Sequence, residues 1–319
     1  MSDFLDTNTA VQKYAELALQ AKGDKSRMMN QWKDVLSDHG VTITEDINED
    51  DILPKRIIGA IQDAIRSNSV FSQFHPVYNI QPGELVMEKT ENADGAWGHK
   101  TNAEKKLQQT ALVSRNIFPK AIYKLQRLDH MTYLKGGALV QWVLGELPRY
   151  VVNRVSQAIL VGGVVNEDGT KFDAIYPIVG DELAKETQLK ANWTGGDLKT
   201  ALLTDVASID SDNVTVFLSP KAWAALALAG DAWSVGMLTG NGLNLGGKLV
   251  KTFFLDDSHP YVMLDTNSYL VGFAGSGVET LSDFAITTNS EYIESRAYTA
   301  GSLMRAGIAR YATVAQAGK

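Results

Sequence analysis

The 319-residue chain contains no cysteine. This absence excludes disulfide bonds, thiolate metal ligands and cysteine nucleophiles together. Histidine is scarce as well, since the five histidines are scattered and no two of them stand at the spacing of metal ligands. We therefore expect neither a metal site nor a cofactor.

Long hydrophobic runs are also missing, because no apolar stretch approaches the roughly eighteen residues that a membrane-spanning helix needs. The N-terminal stretch MSDFLDTNTAVQKY is acidic rather than basic, so we expect no secretory signal and a protein that stays in the cytosol where it is made. With 30 Lys and Arg against 37 Asp and Glu, the net charge is −7. That charge argues against a protein whose main task is to grip nucleic acid, which requires clustered Lys and Arg.

Signatures of catalysis are lacking too, since the sequence contains neither a Gly-x-Ser-x-Gly elbow nor a His-Glu-x-x-His helix. The one close set of catalytic residue types is Asp256, Asp257, Ser258 and His259. Adjacent residues on a turn do not converge on one reacting atom, because a catalytic triad draws its members from distant segments. We predict a turn before Pro260 instead.

A partial match to a phosphate-binding loop occurs at residues 242–248, GLNLGGK. Leu249 occupies the next position, where such a loop requires Ser or Thr. The residues that follow, LVKTFFLDD, have the composition of a strand, so the helix N-terminus that would cradle a phosphate is missing. We predict a glycine-rich turn here and no enzymatic activity for the chain.

The most informative segment that is present runs over residues 137–163, GALVQWVLGELPRYVVNRVSQAILVGG. Its apolar residues recur at steps of three and four, which predicts one face of a long helix over residues 137–161. The predicted core positions of this spine helix are Val140, Leu144, Leu147, Val151, Val155 and Ile159. Such a helix would span roughly 35 to 40 Å, with a kink at Pro148 and an end at Gly162 and Gly163. An ordinary core helix of an α/β domain is the alternative interpretation.

A long polar hairpin is predicted before the spine helix. Residues 84–87 and 110–117 are rich in β-formers, and ENADGAWGHKTNAEKKLQQ between them has little apolar content except Trp97. A segment of this composition cannot bury itself, so we predict that it projects into solvent or onto a neighbouring subunit. The candidate contact residues are Trp97, His99, Lys100, Lys105 and Lys106. A solvated surface loop is the alternative.

The remaining segments follow a recognisable order. Residues 1–70 carry three helical patterns, the second of them around Met28, Trp32, Val35 and Leu36. Residues 176–278 alternate between predicted helices, at 197–208 and after Ser219, and predicted strands, at 213–218, 248–255 and 261–264. The final run, 292–315, alternates again and is long enough to return across the molecule.

In this order the chain resembles the major capsid proteins of tailed bacteriophages, which share the Hong Kong 97-type fold. The features that carry the resemblance are an N-terminal arm, the helix DILPKRIIGAIQDAIRSNS, the polar hairpin, and the spine helix ending in QAILVGG followed by NEDGTKFDAIYP. The resemblance covers the chain from about Asp51 onward and rests on the order of elements rather than on an invariant motif.

The resemblance implies an α+β chain with a particular division into regions. These are a helical N-terminal arm at 1–70, an extended loop and its base at 71–120, a peripheral domain with the spine helix at 121–175, an axial domain at 176–278, and return strands of the peripheral domain at 279–319.

The resemblance also implies a function, namely a subunit that forms hexamers and pentamers and closes them into an icosahedral shell around phage DNA in the virion. Implied partners are other copies of the chain, scaffold, portal and decoration proteins, and packaged DNA contacted non-specifically. Two alternatives stay open: an encapsulin, which is a bacterial shell of the same fold that holds cargo enzymes, and an unrecognised α/β enzyme.

Overall fold

The structure of the chain, a computed structural model, describes residues 13, 16–17, 25–39, 64–89, 111–129, 137–162, 173–209, 211, 213–229, 247–285 and 290–315. The helices of this described part are α1 (Lys25–Asp38), α2 (Gly137–Leu160), α3 (Gly195–Ser208) and α4 (Pro220–Ala229). The strands are β1 (Val77–Tyr78), β2 (Gly83–Glu88), β3 (Leu112–Ile117), β4 (Lys120–Asp129), β5 (Lys185–Leu189), β6 (Val214–Leu218), β7 (Gly247–Lys251), β8 (Tyr261–Asp265), β9 (Tyr269–Ala285), β10 (Ser290–Leu303) and β11 (Ala309–Val314).

Contacts between residues divide the chain into two units, each assembled from three segments. Unit 1 contains Met1–Phe71, Ala121–Arg154 and Ser276–Tyr298. Unit 2 contains Ser72–Lys120, Val155–Gly275 and Thr299–Lys319. The division into regions expected from the sequence stays a prediction.

Helix α1 in unit 1 confirms the second helical pattern of the N-terminal region. Trp32 and Leu36, one turn apart, are fully buried, whereas Lys33 and Asp34 between them are exposed. Residues 64–67 are also helical, and most of the other N-terminal patterns lie outside the described residues.

The end of that helical segment is tied to α2 within unit 1. The Asn68 side chain accepts hydrogen bonds from the backbone N–H groups of Val70 (3.0 Å) and Phe71 (2.7 Å) and donates one to Asn153 Oδ1 (2.7 Å). One short polar side chain therefore satisfies two backbone donors and joins two helical segments.

Helix α2 confirms the long helix predicted from the sequence and continues through Pro148. The kink expected at Pro148 stays a prediction. The helix ends before Gly162, whose φ of 64° lies in the left-handed region and whose N–H bonds to the Ala158 carbonyl at 3.2 Å. A side chain at this position would also crowd the Pro177 ring, since an added Cβ would lie 2.9 Å from its Cγ.

A four-stranded sheet has the order β1-β9-β10-β4, with β1 parallel to β9. Neither β4 nor β9 is among the strands predicted from the sequence. Strand β9 contains three glycines, two of them at positive φ, Gly275 (80°) and Gly277 (110°), and glycine is depleted in strands and marks local irregularity. Gly272 allows a close approach of neighbouring chain, because a Cβ there would lie 2.4 Å from Ile80 Cδ1.

A five-stranded mixed sheet in unit 2 has the order β5-β11-β8-β6-β7. Strand β11 runs parallel to β5 and antiparallel to β8, and β6 runs antiparallel to β8 and parallel to β7. The run 292–315, predicted as one alternating segment, is therefore two strands, because β10 belongs to the four-stranded sheet and β11 to this one. The strand predicted over 248–255 ends earlier, at Lys251.

Helices α3 and α4 pack on one face of the five-stranded sheet. Leu198 and Leu202 of α3 and Leu226 of α4 are buried among apolar side chains of β6 and β8. The two helices approach closely at Gly195, where a Cβ would lie 2.5 Å from the Ala225 carbonyl oxygen. The Thr194 hydroxyl caps α3 in a capping box with Asp197. Ser219 caps α4, as predicted, by accepting from the Ala222 N–H at 3.2 Å.

The opposite face of this sheet is covered by aromatic residues of unit 2. Phe217 of β6 stacks on Phe74 with ring centroids 6.0 Å apart, and Phe74 meets Tyr269 edge-on at 5.6 Å. Both faces of the central strands are therefore covered, which explains why every residue of β6 and β8 is buried.

Candidate assembly surface

The predicted hairpin begins as a two-stranded ribbon of β2 and β3. The strands are antiparallel, with Glu84 opposite Asn116 and Glu88 opposite Leu112, and Lys89 N–H continues the ladder to the Ala111 carbonyl at 2.8 Å. This pairing confirms the base of the hairpin. The predicted contact residues Trp97, His99, Lys100, Lys105 and Lys106 lie outside the described residues.

The ribbon has two faces of different character, because successive side chains of a strand point to opposite sides. The inner face carries Met87, Arg115 and Ile117, all buried. On the outer face Val86 and Leu112 are apolar yet 56% and 64% exposed. We name this outer face, Glu84, Val86, Glu88, Leu112, Ser114 and Asn116, the ribbon outer face. Protein contact surfaces combine apolar side chains with a polar rim, so the ribbon outer face is a candidate contact surface.

The base of the ribbon is held by a buried ion pair that the sequence analysis did not predict. Arg115 donates from Nη2 to Asp181 Oδ1 at 2.6 Å and from Nη1 to Asp181 Oδ2 at 2.8 Å. Arg115 Nη1 also donates to Ser302 Oγ at 2.9 Å, and the guanidinium lies 4.6 Å from the centre of the Tyr176 ring. We name these four residues the Arg115 cluster. No local sequence signal points to this pair, because 66 residues separate its partners.

The loop that carries Asp181 is itself ordered by hydrogen bonds. Asp181 Oδ1 accepts from the Leu183 N–H at 2.8 Å, and the Tyr269 hydroxyl donates to the Tyr176 carbonyl at 2.7 Å. Burial holds the pKa of Tyr269 well above its usual value, and the Asp181 charge raises it further. Tyr269 therefore stays a neutral hydrogen-bond donor.

A second ion pair links the ribbon to the same loop at the surface. Lys89 Nζ lies 2.8 Å from Glu182 Oε2, and both side chains are about half exposed. The hydrogen bond from Lys89 lowers the pKa of Glu182. Because the pair is solvated, it contributes little stability compared with a buried contact.

The predicted core positions of the spine helix fall on the buried side of α2 wherever burial is described. Leu147, Val151, Val155 and Ile159 are 0 to 2% exposed. The burial of Val140 and Leu144 lies outside the described residues. On the other side, Arg149 is exposed and bonds through Nη1 to Glu146 Oε1 at 2.6 Å.

The candidate catalytic set forms a closed turn, as predicted. Asp256 Oδ1 accepts hydrogen bonds from the backbone N–H groups of Ser258 and His259 (both 3.0 Å) and from the Ser258 hydroxyl (2.6 Å). The same oxygen lies 3.1 Å from His259 Nδ1. Burial alone would raise the pKa of Asp256, but the hydrogen bonds from Ser258 and His259 outweigh it and lower the pKa. The carboxylate is thus occupied in stabilising its own turn.

The partial phosphate-loop match also has a structural explanation. Lys248 and Leu249 lie within strand β7, which pairs in parallel with β6, so no helix N-terminus follows the glycines. In the described part of the chain, no group of three or more His, Asp or Glu side chains is arranged to hold a metal ion. None of the described helices is long and apolar enough to cross a membrane.

Several other exposed apolar residues were missed by the sequence analysis. Tyr123 and Leu125 of β4 are 52% and 48% exposed, and Leu228 and Phe253 of unit 2 exceed 80%. The segment KAIYKLQRLD lacks a regular alternation of apolar and polar residues, so β4 has no periodic signal in the sequence.

Comparison with known proteins gives relatives in both sequence and structure. A capsid protein of Lactococcus phage p2 is 30% identical over 201 residues, which is 61% of this chain and 48% of that protein, and the capsid protein of phage SK1 matches equally. The chain spans about half the length of these curated relatives. No protein-family model matches the chain.

Solved structures match over most of the chain. The capsid of a native GTA particle gives a TM-score of 0.58 at 13% identity and covers 86% of this chain and 94% of its own. A virus-like particle from Pyrococcus furiosus gives 0.53 at 12% identity, covering 81% and 98%. The chain has the Hong Kong 97-type capsid fold. The α+β class and the resemblance to tailed-phage capsid proteins are thereby confirmed.

In this Hong Kong 97-type chain the ribbon of β2 and β3 and the helix α2 are the two elements that the sequence predicted as hairpin and spine. Likeness at such low identity establishes the fold alone, since one fold hosts many functions. What the fold does here depends on the surfaces described above.

Proposed function

We propose that this chain is the major capsid protein of a tailed bacteriophage, which assembles into hexamers and pentamers of an icosahedral shell around the DNA genome. The observation that carries the proposal is the combination of the Hong Kong 97-type fold with 30% identity to phage capsid proteins over 61% of the chain. The role is structural rather than enzymatic. The protein would be made in the host cytoplasm and reside in the virion.

The mechanism is geometric. Each subunit makes heterologous contacts, in which one surface of a subunit meets a different surface of its neighbour, and the rotation between neighbours decides whether the ring closes. Many modest contacts repeated over a closed lattice resist the pressure of packaged DNA through multivalency. A net charge of −7 lets the genome be contacted without strong adhesion.

The hairpin supplies the contact onto the neighbour in this proposal. Its polar tip, with Trp97, His99, Lys100, Lys105 and Lys106, would lie on an adjacent subunit, and its base presents exposed Val86 and Leu112. Solvated lysine pairs are individually weak, so they act by repetition around the ring. Scaffold, portal and decoration proteins are the proposed further partners.

The proposal includes a division of the subunit into a peripheral and an axial domain. The peripheral domain would consist of residues 121–175 and 279–319, and the axial domain of residues 176–278. Helix α2 would be the spine of the peripheral domain. The core positions of α2 would be Val140, Leu144, Leu147, Val151, Val155 and Ile159. The pairing of β11 with β5 and β8 means that the last strand contributes to the sheet built mainly by the axial segment.

An encapsulin-type shell, the alternative that the sequence left open, is not favoured, because the virus-like particle from Pyrococcus furiosus is only 12% identical and such a likeness supports the fold alone. The phage assignment has better support, because the phage capsid proteins are 30% identical whereas that particle is 12% identical. The two candidates differ in contents, DNA in one and cargo enzymes in the other.

The test is expression of the chain with its gene neighbours, followed by size-exclusion chromatography with light scattering and by electron microscopy. We expect closed particles or capsomer rings. A stable monomer at every salt and protein concentration, even with a scaffold supplied, would overturn the proposal. Particles that enclose a co-expressed enzyme instead of DNA would favour the encapsulin.

A further inference from the structure

The Arg115 cluster joins the ribbon to distant parts of unit 2. Arg115 lies on β3, Tyr176 and Asp181 lie on the loop after α2, and Ser302 lies on β10. The guanidinium donates to the Asp181 carboxylate through both terminal nitrogens and to the Ser302 hydroxyl through one, and it lies 4.6 Å from the centre of the Tyr176 ring. Its plane is therefore fixed by the carboxylate, the hydroxyl and the aromatic ring together.

The chemistry of the cluster favours a directional role over a stabilising one. The Arg115 and Asp181 side chains are 5% and 1% exposed, so both charges lose their hydration. The desolvation cost of a buried ion pair offsets most of its attraction, which makes such a pair a weak source of stability. A two-point hydrogen bond between guanidinium and carboxylate nevertheless has a fixed geometry, which a lysine does not reproduce.

The apolar part of the inner face lacks this directionality. Met87 and Ile117 are buried beside Arg115, and apolar contacts are not directional. Burial of these apolar side chains keeps the ribbon against the rest of unit 2. Burial alone leaves the direction of the ribbon less well defined. The exposed Lys89 pair with Glu182 adds little constraint, because both side chains are solvated.

We propose that Arg115 is a positioning residue that fixes the direction of the ribbon of β2 and β3 relative to the rest of unit 2. The 23 residues 89–111 separate Glu88 from Leu112, and any rotation of the ribbon at its base displaces that whole segment. The consequence for assembly rests on the proposed capsid function, since a displaced hairpin would miss its neighbour. The positioning role itself is a property of the single subunit.

The absence of cysteine makes a direct measurement of this direction possible. Two engineered cysteines, Val86→Cys on the ribbon and Leu228→Cys at the end of α4, occupy exposed sites of unit 2. A spin label is attached to each of the two cysteines in the full chain. The labelled protein is mixed with an excess of unlabelled protein, so that the signal comes mainly from pairs of labels within one subunit. Pulsed electron paramagnetic resonance then gives the distribution of distances between the ribbon and α4.

Three variants are compared with the parent. Arg115→Lys keeps the charge and loses the two-point hydrogen bond. The double variant Arg115→Met with Asp181→Asn removes both charges and keeps an acceptor for the Leu183 N–H, so it tests the same point if the single variant does not fold. Lys89→Met removes the exposed ion pair and serves as the matched control.

We expect a narrow distance distribution in the parent and in Lys89→Met, and a broadened or shifted distribution in both Arg115 variants at a temperature where all are folded. An unchanged distribution in both Arg115 variants would overturn the positioning role. Electron microscopy of the same variants then tests the link to assembly, where we expect loss of closed particles with Arg115→Lys. Normal particles from a variant with a broadened distance distribution would overturn the link between ribbon direction and assembly. A parent chain that never assembles would count against the capsid function and not against the positioning role.

Discussion

Tyr261 and Asp205 form a hydrogen-bonded pair in the core of unit 2. The Tyr261 hydroxyl donates to Asp205 Oδ2 at 2.6 Å, and Thr187 Oγ1 donates to the same oxygen at 2.7 Å. Burial raises the pKa of Tyr261 far above its usual value of 10.0, and the hydrogen bond to Asp205 raises it further. The phenol therefore keeps its proton in the folded chain at pH values where the unfolded chain loses it.

This shift predicts a loss of stability at alkaline pH. A raised folded-state pKa contributes stability that is complete below about pH 10 and is lost as the pH rises above it, at about 1.4 kcal/mol per pH unit. Tyr261→Phe should be about 1 to 3 kcal/mol less stable than the parent near neutral pH, because Asp205 loses a donor. Its deficit should shrink as the pH rises above about 10, since the variant has no phenol to ionise.

Urea unfolding at a series of pH values from about 8 to about 11 measures this difference. Tyr123→Phe is the matched control, because Tyr123 is 52% exposed and should follow the parent at every pH. The free energy of unfolding of Tyr261→Phe could instead stay below that of the parent by the same amount at every pH. That result would show that the Tyr261 phenol does not hold its proton preferentially in the folded chain.

At the scale of elements, α2 has one buried and one solvated side, and the two should respond differently to substitution. Val151 and Val155 are 1% and 0% exposed, so replacing either with Asp places a charge in the core and should cost about 3 kcal/mol or more. Arg149 makes a surface ion pair with Glu146, so Arg149→Ala should cost under about 1 kcal/mol in the subunit.

Thermal or urea unfolding of the soluble subunits compares these variants, with the yield of soluble protein as a second readout. If substitutions on the two sides of α2 lowered the free energy of unfolding equally little, α2 would have no packed face in the isolated chain.

At the scale of the whole molecule, the predicted hairpin tip should matter for association and not for folding. Trp97→Ala, and a triple variant with Lys100, Lys105 and Lys106 changed to Ala, should weaken assembly while leaving subunit unfolding unchanged, because the segment is too polar to belong to a core.

Light scattering of assembling protein and thermal unfolding of the subunit give the two readouts. A triple variant of Lys33, Lys190 and Lys221 to Ala is the matched control, since it makes the same charge change at exposed lysines elsewhere. A fall in subunit stability as large as the loss of assembly would show that the tip packs within its own subunit.

Elements with a local signal can be predicted from the sequence. Helix α2 follows from an apolar period near four residues, α4 from Ser219 and Pro220 at its start, and the ribbon from two β-rich segments around a polar one. These signals suffice because a helix face, a cap or a hairpin involves residues that are close together in the chain. The order of the elements was enough to indicate the Hong Kong 97-type fold.

The contacts between distant segments are visible in the folded chain and not in the sequence. The pairing of β11 with β5 and β8, the glycine-containing strand β9, and the contact of Arg115 with Asp181 have no periodic signal in the sequence. Strand pairing is set by long-range packing and by register against neighbours rather than by local preference. A buried ion pair likewise exists only where folding brings both charges out of water at one place, and the chain order does not record that meeting.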